Sequence, residues 1–104
     1  MAKRSANRVS ETDVAKAVMQ VLEHEPEGEA SIANIVKKLP DYLKLSEEDW
    51  AASPTRKGEA VWEQQVRNIT SHKGTPGNFI HDGYLAVIKG GLKLTDSGKR
   101  KVKR

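Results

Sequence analysis

Up to His72 the apolar positions fall into short stripes at helical spacing, and beyond it into brief runs divided by glycine turns. Ser10 with Asp13 three residues on predicts a capped helix start, and Val14, Ala17, Val18, Val21 and Leu22 continue it as one buried face ending before Pro26 and Gly28. Ser31 caps a second stripe of Ile32, Ile35, Val36 and Leu39, which stops at Pro40. Ser46 followed by Glu47, Glu48 and Asp49 predicts a third, short helix, with acids where the helix dipole favours them and a break at Ser53-Pro54. Residues 53–58 read as a loop. A longer helix follows over 59–72, with no Gly or Pro and with Trp62, Val66 and Ile69 on its core face.

After a loop at 74–78, two turn signals, Asp82-Gly83 and Gly90-Gly91, separate Phe79-Ile80-His81 from the runs 84–88 and 92–95. The latter two predict a β-hairpin with Lys89-Gly90-Gly91 at its tip and Lys93 beside it. Three helices, a long fourth one and a closing hairpin predict a mostly α fold with a small antiparallel β-hairpin, the order of a winged helix-turn-helix. Three segments are expected: a flexible basic arm over 1–9, the winged-helix domain over 10–98 and a basic tail over 99–104.

The outward face of the long helix, opposite Trp62, Val66 and Ile69, presents Gln64, Arg67, Asn68 and Ser71. Arg can be bidentate to guanine and Asn or Gln to adenine, while Ser bonds to bases or phosphates. The competing reading is a solvated helix face. This face is rich in amides where a merely solvated one tends to carry Glu and Lys pairs. Arg56 and Lys57, just before the helix, would add cations to its N-terminus for a phosphate, though a plain surface loop accounts for them equally well. Lys73 past the helix end and Lys89 and Lys93 in the wing complete the expected DNA-binding set.

Charge sharpens the picture. The chain has 104 residues, one domain by length, and a net charge of +4. Residues 9–55 carry four basic against ten acidic groups, and 56–104 carry eleven basic against four acidic, so the half with the long helix and hairpin is the positive one. Five of those cations sit in the terminal run Lys99-Arg100-Lys101-Val102-Lys103-Arg104, expected as a tail. With no cysteine, neither a disulfide framework nor a thiolate metal site is available. The apolar runs are too short for a membrane span and the basic N-terminus is not followed by a signal-type apolar segment, so a soluble cytoplasmic protein is expected.

Other chemistry finds no purchase. His24, His72 and His81 lack metal-ligand spacing, and no phosphate-binding Gly-rich motif occurs. Glu47, Glu48 and Asp49 read as helix-start acids, and Ser71 and His72, as neighbours on a helix, do not face each other. No catalytic residue, metal or cofactor is expected.

Leu45-Ser46-Glu47-Glu48-Asp49, the helix from Trp62 through Arg67 to Ile69, Gly83-Tyr84 and Leu94-Thr95-Asp96-Ser97-Gly98 together resemble the N-terminal winged-helix domain of Mrr-type restriction proteins and its stand-alone bacterial and phage versions. The likeness covers most of residues 30–98. It departs at Asn68-Ile69-Thr70-Ser71-His72, where the family pattern commonly continues from the Arg with Trp-Ala. Family members often join this domain to a downstream nuclease, and the chain ends where one would begin. The resemblance therefore implies double-stranded DNA binding without cleavage, as a regulator or restriction-related accessory protein, with a homodimer or protein partner as a further possibility. The rival reading is a winged-helix protein-interaction module.

Overall fold

The structure, a computed structural model, describes residues 9–54 and 58–103. Helix α1, Glu11–Glu23, starts as the Ser10–Asp13 pattern predicts: the Ser10 hydroxyl accepts from the Asp13 amide at 3.0 Å and the Asp13 carboxylate accepts from the Ser10 amide at 3.1 Å. These reciprocal bonds satisfy two helix-end donors that would otherwise lack partners. A single 3-10 turn, Pro26–Gly28, reverses the chain into strand β1, Glu29–Ser31. Ser31 then caps helix α2, Ile32–Lys38, through the Asn34 amide, and a 3-10 turn at Leu39–Asp41 ends it.

Helix α3, Glu47–Trp50, is one turn long and is held by its cap. Asp49 is buried, and its carboxylate accepts from the Ser46 amide at 2.9 Å and the Ser46 hydroxyl at 3.1 Å. Its other oxygen accepts from the Val9 amide at 3.0 Å, tying the entry to α1 against α3 across forty positions of sequence. Helix α4, Val61–Ser71, buries Trp62, Val66 and Ile69 as the stripe predicts, and the Glu63 carboxylate caps the Ala60 amide at 2.7 Å. Strands β2, Leu85–Ile88, and β3, Gly91–Leu94, form the expected hairpin.

The sheet, however, has three strands, in the order β1-β3-β2 and antiparallel throughout. β1 lies too close to β3 for any side chain at Gly91: a Cβ there would stand 2.1 Å from the Ala30 carbonyl oxygen. The described residues thus form an α+β fold of five helices and one small sheet. Its core joins α1 (Val14, Val18, Leu22) to α4 (Trp62, Val66, Ile69) and to the inner faces of β2 and β3 (Leu85, Leu92, Leu94).

Three expectations are corrected here. The basic tail at 99–104 is a folded element through most of its length: helix α5, Asp96–Val102, takes in the first four of those residues. Thr95 caps it at the Gly98 amide, 3.0 Å, while donating to the Gly83 carbonyl, and the Thr95 amide bonds to the Tyr84 carbonyl at 3.1 Å. α5 is therefore anchored to the base of the hairpin, and the domain boundary expected at 98 falls inside a helix. The long helix expected over 59–72 spans Val61–Ser71, with Glu59 and His72 outside it, and the Phe79-Ile80-His81 run beyond it lies in a turn whose Phe79 carbonyl accepts from both the Tyr84 and Leu85 amides. The third helix ends at Trp50, before the Ser53-Pro54 break.

Candidate nucleic-acid interface

Burial of Trp62, Val66 and Ile69 turns Gln64, Arg67, Asn68 and Ser71 to the outer side of α4, where Arg67 and Ser71 are exposed and Gln64 and Asn68 half-buried. Two clefts flank them. One, of about 340 Å³, lies between α4 and α2 and is lined by Ile32, Ala33, Val36, Glu59, Glu63, Val66 and Arg67. The other, of about 180 Å³, lies toward the chain's entry to α1 and is lined by Val9, Asp49, Val61, Trp62, Gln64, Gln65 and Asn68.

The four side chains are not equivalent. Arg67 is engaged by Glu59: Nε donates to the carboxylate oxygens at 2.9 and 3.2 Å, and Nη2 donates to the nearer one. That hydrogen bond, with the carboxylate's charge behind it, makes the guanidinium hold its proton still more tightly than usual. Asn68 donates to Gln65 Oε1 at 3.2 Å, and Gln65 Nε2 donates to the Val9 carbonyl at 3.3 Å. An amide relay thus fixes one flank of α4 to the segment leading into α1.

The far end of α4 is fastened through His72, expected as the last residue of the helix, and through Asn78, expected in the loop after it. His72 Nδ1 lies 2.7 Å from Glu11 Oε1, and the buried Asn78 donates to the Ile69 carbonyl at 2.8 Å while accepting from the Ile80 amide at 2.7 Å. Lys73 is exposed just beyond the helix.

At the hairpin tip Lys89 is exposed beside Gly90, whose carbonyl accepts from the Ile32 amide at 2.9 Å. This bond sets the tip against the N-terminus of α2, on the side of the molecule where α2 meets α4. Lys93 is exposed on β3 and faces its cross-strand partner Glu29 at 3.8 Å. Arg56 and Lys57 lie outside the described residues. Among the described residues no group of three or more His, Cys, Asp or Glu side chains could hold a metal ion, and no helix is long and apolar enough to cross a membrane.

Sequence reading missed Glu59, Gln65 and Asn78. Residues eight apart stand about 12 Å apart along a helix, so Glu59 and Arg67 meet because Glu59 lies outside α4, which only its loop geometry decides. Asn78 stood in a loop recognised by its glycines and proline; an Asn there signals local backbone bonding, though not the reach to Ile69. Comparisons with protein-family models, curated proteins and solved structures gave no match.

Proposed function

We propose that the chain is a winged helix-turn-helix protein that binds double-stranded DNA without chemistry of its own, in a cytoplasmic regulatory or restriction-related role. One observation carries this reading: the outer face of α4 presents Gln64, Arg67, Asn68 and Ser71 as a band, with the Lys89 tip set beside α2. An α-helix fits the major groove, and side chains of these types read base edges and phosphates there. The element order α1-β1-α2-α3-α4-β2-β3 and the sheet order β1-β3-β2 support it, since they put a helix pair ahead of a short hairpin that can reach the adjacent backbone.

Arg67→Ala tests the assignment. Duplex binding by fluorescence anisotropy should weaken by about 1 to 3 kcal/mol with the circular dichroism spectrum unchanged. Wild-type affinity in the mutant would remove α4 from the interface.

The cleft between α2 and α4 supports a second reading, docking of a protein partner, because Ile32, Ala33, Val36 and Val66 line it with apolar surface. Salt separates the two readings. The logarithm of DNA affinity falls linearly with log salt as counterions are released, whereas apolar docking changes little.

A further inference from the structure

We propose that Glu59 is a positioning residue that aims Arg67 at guanine, making the protein a reader of guanine in the major groove. The inference rests on the reading of α4 as the DNA-contacting helix. Glu59 occupies one edge of the guanidinium, the one formed by Nε and Nη2. Among the described residues nothing bonds to Nη1, and the Arg67 side chain is 46% exposed while that of Glu59 is 18% exposed. The carboxylate is thus the more sheltered partner, and the edge formed by Nη1 and Nη2 is the one left for solvent. Two parallel N–H donors on that edge match O6 and N7 of guanine, the pair of acceptors only guanine offers in the major groove.

Glu59 is itself held in place. Its carbonyl accepts from the Ser53 amide at 2.8 Å, and the next residue, Ala60, bridges to Ala52. A long Arg side chain loses much rotamer freedom on binding, and a fixed carboxylate removes part of that cost beforehand. It also discourages promiscuous phosphate contacts, since a neighbouring negative charge repels the backbone unless the two-point base contact compensates.

The test uses the full chain and two probes: a guanine-rich mixed-sequence duplex of about 20 base pairs, and the same duplex with 7-deazaguanine, which lacks the N7 acceptor, at every guanine. Wild type should prefer the first by roughly tenfold, within the range of a bidentate base contact. Arg67→Ala should bring the ratio to near one. Glu59→Gln, which keeps an oxygen acceptor but removes the charge, should lower it to about two- or threefold, and Glu59→Ala should lower it further. A purely structural role for Glu59 would change the melting temperature and leave the ratio alone. Glu59→Gln binding both duplexes more tightly at an unchanged ratio would make Glu59 a competitor and overturn the proposal, as would a wild type blind to 7-deazaguanine. If wild type binds neither duplex, the DNA reading itself fails; if it binds and the ratio survives in both Glu59 variants, only the role of Glu59 does.

Discussion

At the scale of single residues, Trp62 joins stability to the interface. It is buried against Val66 and the α1 face of the core, and Trp50 meets it edge-on with ring centroids 5.5 Å apart. Its indole Nε1 is buried with no hydrogen-bond partner among the described residues, a desolvation cost the ring's apolar area must outweigh. Trp62→Ala should therefore destabilise by roughly 3 to 5 kcal/mol, enough to unfold a domain of this size, while Trp62→Phe, which removes the orphaned donor along with part of the ring, should cost far less. Urea titrations followed by circular dichroism compare the two; equal losses would show that the buried aromatic ring at this position contributes no stability. The burial of Trp62 was legible from its spacing to Val66 and Ile69, because helical periodicity follows from backbone geometry alone. Its missing partner was not, since that depends on what the rest of the chain brings alongside.

At the scale of elements, each described cap read from sequence is present where expected: Ser10, Ser31 and Ser46 all accept from the amide three residues on. Capping is local, so a Ser and the residues just after it carry the whole signal. α5 is the opposite case. Its seven residues include Gly98 and a single apolar side chain, Val102, poor material for an isolated helix, and it exists by packing: Lys101 lies over the Tyr84 ring at 4.8 Å, Val102 packs against the core, and Thr95 pins its start to the hairpin. Gly98 permits the close approach, because a Cβ there would stand 2.2 Å from the Tyr84 carbonyl oxygen. Gly98→Ala should push α5 off the hairpin, raising amide exchange over 96–102 far more than in α4. Uniform exchange across the chain would show that α5 is not anchored at this point.

At the scale of the whole molecule, the cations of α5 stand at the base of the hairpin, whereas Lys89 stands at its tip, about 13 Å away along four-residue strands. Exchanging Lys99, Arg100 and Lys103 for Gln keeps Val102 and Lys101 in place and should weaken preferred and scrambled duplexes about equally. The slope of log affinity against log salt should flatten by at most about one unit for each phosphate that a removed cation had neutralised. Loss of preference at an unchanged slope would mean that α5 reads sequence. The sequence alone determined the capped starts of α1, α2 and α3, the buried stripe of α4, the hairpin and the polar band on α4's outer face, because periodicity, capping and turn chemistry act over a few residues. The tertiary structure decided what needs distant segments to meet. It added β1 to the sheet through Gly91, folded the basic run as α5, joined Asn78 to the end of α4, and set Glu59 against Arg67. Such meetings depend on where each loop returns the chain, and no local pattern specifies that.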